Sequence, residues 1–574
     1  KHAVQLASEF PREERLRFEG QSYEAESQWD KAIASYRALF ELEPDNIDNG
    51  LKLANAEIFG GQASQAMQTL ARLRQLPAPR NEDLRIDLAE ARAAHFLSDF
   101  KREREIAVAA ARKGEKQSAR FLVARARMAE CLALRNMGDP KGAVPVCQEA
   151  QRIFELAGDR YGVATTLNSI GNALYDLGDL DDARKTYEQA MQIDREIGNV
   201  GGLAGAMDNL ASVAGDQGDK ATARKLARQA LALYRETGDK RNISATLNNI
   251  ASEMVVRGDL IGSRKIFDEA LAIGREIHSG STVATALVNL GEVRLELGDT
   301  DGAESAFREA FSTFQKNNEK GKSAYPLVGL GELLATTGDL KGAKDSLERG
   351  LALSNEIGEK HESAIALSGI GSVLMLEGNL AEARRRFEEA LAWRKELDEK
   401  ESIAASLLDL AELSLEEGKP AQAEQSLREI PSTGGTPDLV AGYHALLGQA
   451  LLAQGKTMEA RKQAGLAMAT VSKTQRQRTV VQTRTRATEV QAASGGPSAA
   501  QSATRVLHEI IQQCEHMRFK QLGLQATLVL SEIGLRGPDK NSSRRTLESL
   551  EKEARAAGFN LIAARAARGC CSTR

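Results

Sequence analysis

Eight glycines, Gly138, Gly178, Gly218, Gly258, Gly298, Gly338, Gly378 and Gly418, stand forty residues apart. A chain that repeats one punctuation mark at a fixed interval is an array of supersecondary units leaning on their neighbours, not a single closed core. The residues between the glycines define the unit. In ALVNLGEVRLELGDTDGAESAFREAFSTFQ, which begins at Ala286, the residues Leu287, Leu290, Gly291 and Arg294 have the i, i+3, i+4, i+7 spacing of one helical face. The first position recurs as Leu167, Met207, Leu247, Leu287, Leu327, Leu367 and Leu407, and the second as Ile170, Leu210, Ile250, Leu290, Leu330, Ile370 and Leu410. Beside this seam stand only small residues, Gly171, Ala211, Ala251, Gly291, Gly331, Gly371 and Ala411, which let a second helix come close.

The periodic glycine supplies the left-handed corner that ends the first helix, and the aspartate after it, as in Gly298-Asp299, caps the next. Pro140 and Pro420 fall in the first turn of that second helix, where proline is tolerated. Pro145 lies deeper and predicts a kink or a late start. The second helix carries Ala143, Ala183, Ala223, Ser263, Ala303, Ala343, Ala383 and Ala423, and four residues later Cys147, Tyr187, Ala227, Phe267, Phe307, Leu347, Phe387 and Leu427.

A large apolar residue, Leu-Gly or Leu-Ala, a turn glycine, alanine and then an aromatic, kept in register through the central units, resembles the tetratricopeptide repeat. The segment with Gly20, Tyr23, Trp29, Ala32, Tyr36, Leu39 and Pro44 is similar to the shorter form of that repeat. The resemblance implies an all-α, right-handed α-solenoid superhelix of antiparallel helix hairpins. We expect hairpins of the shorter and weaker kind over 1–137, the regular array over 138–430, and divergent hairpins with a cap over 431–574. Within the last region PSTGGTPD at 431–438 reads as a turn cluster and the ending CCSTR as a frayed tail. The chain is also similar to the C-terminal repeat region of bacterial signalling proteins, chiefly serine/threonine protein kinases and less often winged-helix regulators. The start at Lys1 fits a longer parent protein whose effector domain would lie upstream.

Composition limits the chemistry. With 76 Lys and Arg against 80 Asp and Glu, the formal charge of −4 favours neither nucleic acid nor an anionic membrane surface. No run of apolar residues is long enough to span a bilayer. The five cysteines have no regular spacing, so free thiols in a reducing, cytoplasmic setting are expected, with Cys147 a packed core thiol. GKS at Gly321 and GKT at Gly455 lack the preceding glycine of a phosphate loop and read as turns. His508, Cys514 and His516 do not share a helical face, so no metal site is expected. No catalytic set stands out, and neither an enzyme activity in this chain nor a cofactor is expected. The acid-free stretch SKTQRQRTVVQTRTR, with Lys473, Arg476, Arg478, Arg484 and Arg486, reads as a surface helix or as a patch for phosphate or an acidic partner.

The candidate functional surface is the polar side of the first helices, away from the seam. It comprises Asn168, Asn172, Asp176, Asp208, Asn209, Asn248, Asn249, Ser252, Asn289, Glu292 and Glu332. Amides there suit the backbone of an extended peptide and acids suit its basic residues, although any solvated helix face is polar too. The expected partner is a protein or peptide. Two alternatives stay open: the C-terminal part of a serine/threonine kinase, and a scaffold that associates with copies of itself.

Overall fold

The computed structural model describes residues 10–26, 28–317, 319–430, 435–537 and 540–571. Among the described residues are 29 α-helices and no strand, arranged as an all-α superhelix of helical repeats. The forty-residue sequence unit is a hairpin of two helices of similar length, as in Gly280–Glu296 with Thr300–Lys316.

The backbone repeats twice as often as the glycine ladder. From residue 98 to residue 418 every twentieth described residue has positive φ, whether glycine or not. Gly158, Gly198, Gly238 and Gly358 fill the interleaved corners, and Ser98, Ser118, His278 and Asp398 hold φ of 51–58° where glycine is missing. Thus one ladder of corners leads from first helix to second and the other returns. At the Gly298 corner the Asp299 amide donates to the Arg294 carbonyl at 2.8 Å and the Gly298 amide to Leu295 at 3.0 Å, so two otherwise unpaired helix-end carbonyls are satisfied. The Asp299 carboxylate then accepts from the Gly302 amide at 3.0 Å. Asp139, Asp259 and Asp339 cap in the same way, whereas Asp179 and Asn379 make no side-chain cap bond.

The small column does what its size implies. A methyl group added at Gly171 would lie 2.5 Å from the Tyr187 ring, and one at Gly291 would lie 2.6 Å from Phe307. Each pair is sixteen residues apart, the register of the hairpin. Cys131 and Cys147 occupy the same two positions one unit earlier and form a disulfide with a Cα–Cα distance of 5.5 Å. The expectation of a lone packed thiol at Cys147 is therefore corrected: the register that brings a glycine under an aromatic ring brings these two sulfurs together.

The helix Pro140–Ala157 starts at Pro140 and continues through Pro145, because the Asp139 cap and the proline in its first turn fix the start; the late start is not seen. GKS at Gly321–Ser323 is a single 3-10 turn, and Gly455 takes a left-handed corner before the helix Thr457–Val471. Of the turn cluster, residues 431–434 lie outside the described residues, and the helix Pro437–Ala453 starts inside its remainder. The closing pair Cys570 and Cys571 belongs to the helix Asn560–Cys571, with Cys570 half-buried, so the thiol of Cys570 is not on a loose tail. Residues 572–574 lie outside the described residues.

The chain forms two compact units, Lys1–Thr246 and Leu247–Arg574. In the first, successive hairpins stack on cores such as that of Tyr36, Phe40, Leu53, Ile58 and Leu70. In the second, Leu374, Met375, Leu376 and Leu413 share one apolar core with Leu524, Leu528, Leu550, Phe559 and Ile562. The last helices of this unit therefore fold back onto its central repeats.

Candidate functional site

The first helices of five consecutive hairpins, from Arg12–Ala25 to Arg160–Asp176, line a cleft of about 1070 Å³ in the first unit. Their apolar seams face the second helices, which leaves their polar sides to form the concave wall. Phe59 and Phe96 are partly exposed in it, at 39% and 37%, and Tyr161 is 60% exposed. Phe59 stacks on Trp29 at 5.5 Å and meets Phe96 edge-on at 5.8 Å.

Charge in the cleft is unevenly satisfied. Each of its acids is engaged: Asp48 pairs with Arg85 at 2.6 Å, Glu103 with His95 at 3.0 Å, and Asp159 caps a helix through the Gly162 amide at 3.0 Å. Arg92 donates only to the neutral Asn55, at 2.9 Å, and lies 5.9 Å from the centre of the Phe59 ring. Arg125 stands 4.9 Å over Phe121. Burial, and secondarily the nearness of Arg125, pull the Arg92 guanidinium below its ordinary value.

The sequence-predicted residues of this unit lie on the same first helices but are differently employed. Asn168 is half-buried, and its buried Oδ1 has no hydrogen-bond partner among the described residues. Asn172 accepts from the Tyr187 hydroxyl at 2.7 Å, so it serves its own hairpin, and Asp176 pairs with Arg135 at 2.6 Å. Burial pushes the Asp208 carboxyl up to about 6 against the opposing hydrogen bond from Thr246 at 3.4 Å. Asn209 beside it is half-buried.

In the second unit the corresponding surface meets the chain's own C-terminal helices. Asn248 is buried and accepts from Asn289 at 3.3 Å, while Asn249 and Ser252 remain exposed. Arg478 reaches Glu332 at 3.3 Å and Glu296 at 3.9 Å, and Arg476 reaches Glu296 at 3.6 Å. Arg486, nearly buried, pairs with Glu412. The acid-free stretch is therefore not a free patch, since three of its arginines face an acidic column carried by the first helices. Glu292 is exposed, and desolvation by the surrounding protein, with Glu332 and Glu296 beside it and Arg476 opposing, pushes its carboxyl up. The fold-back is also tied along the helix corners, where Thr300 donates to the Met517 carbonyl at 3.2 Å and Asn560 to the Glu377 carbonyl at 3.1 Å.

Comparison with known proteins identifies the repeat. Tetratricopeptide repeat models match residues 23–78 and, separately, 122–196 and 362–430, and the MalT-like TPR region model matches 209–367. The chain is a tetratricopeptide repeat protein. Tetratricopeptide arrays are protein-interaction modules, and their fold is generally non-catalytic.

No curated protein matches the chain. Among solved structures, the tetratricopeptide protein is similar to the Cut9-Hcn1 hetero-tetramer of the APC/C at 13% identity, over 99% of this chain and 98% of that one, with a TM-score of 0.42. It is similar to a signal transduction ATPase with a tetratricopeptide repeat sensor from Pyrococcus horikoshii at 14% identity, over 66% of this chain and 54% of that one, with a TM-score of 0.43. A Rap protein complexed with competence and sporulation factor gives 15% identity, 66% and 98% coverage, and a TM-score of 0.36.

The cleft of this tetratricopeptide protein is only partly legible in the sequence, because three of its five hairpins lie ahead of the regular ladder. One signal was available: Arg92 falls among the small and apolar residues of RIDLAEARAA with no acid four residues on to pair with it. Among the described residues no group of His, Cys, Asp and Glu could hold a metal ion. No described helix is long and apolar enough to cross a membrane.

Proposed function

We propose that this tetratricopeptide protein is a non-catalytic adaptor or sensor module that takes a peptide, or an extended segment of a partner domain, along the concave face of its first unit. The observation that carries this reading is the cleft built by the first helices of five successive hairpins, large enough for several residues of extended chain. Asn168, Asp208 and Asn209 extend the polar face beyond it. The tightly paired Asn172 and Asp176 position their own helices. A role in a bacterial signalling protein is supported by the resemblance of the repeat region to those of such proteins.

The test is hydrogen exchange of the full chain with and without a peptide selected on it from a displayed library. Added protection should fall on the helices Ile47–Phe59, Leu84–Phe96 and Arg120–Asn136. Protection confined to outer second helices such as Lys220–Thr237 would sink the reading.

A further inference from the structure

The chemistry of the partner is written in the charge left over inside the cleft. Four cations line it without a carboxylate partner among the described residues: Arg17, Lys52, Arg92 and Arg125. All three acids of the cleft are already engaged, by Arg85, by His95 and by a helix N-terminus. The two arginines are held in place by uncharged neighbours, Arg92 by Asn55 and the Phe59 ring and Arg125 by the Phe121 ring. A guanidinium fixed by aromatic and amide contacts keeps donors free, and two such forks sharing one enclosed wall repel until an anion arrives.

We infer that the occupant of this cleft is an acidic segment of a partner protein, whose carboxylates meet Arg92 and Arg125 while apolar side chains rest against Phe96 and Tyr161. The inference rests on the groove reading above and adds the class of ligand. Single-stranded nucleic acid is the competing polyanion, and it fits less well. Base stacking needs open ring faces. Phe59 has Trp29 stacked on one side and Phe96 against its edge, and Phe154 is 5% exposed against Phe121, so among the lining rings Tyr161, 60% exposed, offers a single open face instead of a succession of them. Four unpaired cations interleaved with three satisfied acids suit a few discrete carboxylates, not a continuous phosphate backbone.

The experiment titrates the full chain, by fluorescence anisotropy, against three labelled probes of equal length. They are a peptide of glutamates interleaved with leucine and phenylalanine, the same peptide with lysine for glutamate, and oligouridylate. The acidic peptide should bind about tenfold or more tighter than the lysine peptide. Arg92→Glu with Arg125→Glu should abolish or reverse that preference, while Lys225→Glu on an outer helix leaves it intact, with circular dichroism unchanged in both. If the lysine peptide binds better and Phe96→Ala weakens it, the groove reading stands and the acidic ligand is overturned. Tighter binding of oligouridylate, lost in the double variant, also overturns it in favour of a nucleic acid. If none of the probes binds and the library-selected peptide protects no first helix, the groove reading falls as well.

Discussion

Glu362 shows how a single buried acid sets the response of this fold to pH. It is 7% exposed, and burial first, then the carboxylates of Glu292, Glu332 and Glu359, push it up to about 8. In the unfolded chain such a group titrates near its ordinary value of 4.5. Between these two values the native state holds a proton that the unfolded state has released. Stability contributed by this group therefore falls as pH rises through that window. Glu362→Gln should raise the Tm at pH 8 and leave it nearly unchanged at pH 4.5; equal shifts at both would point to packing instead of charge. Asp208 in the first unit, pushed up to about 6, is subject to the same sign over a narrower range. None of this is legible in sequence, because Glu362 occupies an ordinary first-turn position of its helix and only the surrounding acids make it costly to ionise.

At the scale of the helix, the caps offer a comparison internal to the molecule. Asp259 accepts from the Gly262 amide at 2.9 Å, whereas the equivalent Asp179 makes no such bond. Asp259→Ala should cost about 1 kcal/mol in urea unfolding, and Asp179→Ala much less. A similar loss at both sites would show that the carboxylate acts through the helix dipole alone. The hairpin held by Cys131 and Cys147 gives a second expectation. The bond closes a loop with a sequence separation of 16, for which chain entropy gives a stabilisation of about 3 kcal/mol, so reduction should lower the denaturation midpoint and Cys131→Ser should match it. The pairing was legible in principle, since sixteen residues separate the small and large columns in every regular unit. Cysteine spacing alone does not show it, because the two cysteines match no metal or disulfide motif and are paired only by the register of the repeat.

The whole molecule differs from a simple run of hairpins in its second unit, where the C-terminal helices share a core with repeats far earlier in the chain and place Arg476, Arg478 and Arg486 on an acidic column. Arg478 shows the balance: burial opposes its charge, but Glu332 and Glu296 hold the guanidinium above its ordinary value. Reversing one partner of an enclosed pair leaves like charges facing each other. Arg478→Glu with Arg486→Glu should therefore speed hydrogen exchange in both Gln477–Ser494 and Lys400–Glu416, the two sides of the contact. Faster exchange in the C-terminal helix alone would mean that the column does not depend on it.

Sequence alone specifies the hairpin, its register and the corners of the forty-residue glycine ladder, because these depend on local terms: helical periodicity, glycine where φ is positive, aspartate at a helix start. It also determined which sides of the first helices are polar. Which of those polar sides stays open is set by long-range packing. Asn172 is matched within its own hairpin by Tyr187, while Glu332 and the basic stretch, readable as candidate contacts, are matched by each other across a long separation that no local pattern encodes. Arg92 and Arg125 lie outside the regular ladder and remain unmatched in the cleft for the same reason, since a charge's partner is fixed by where the chain folds, not by its neighbours in sequence.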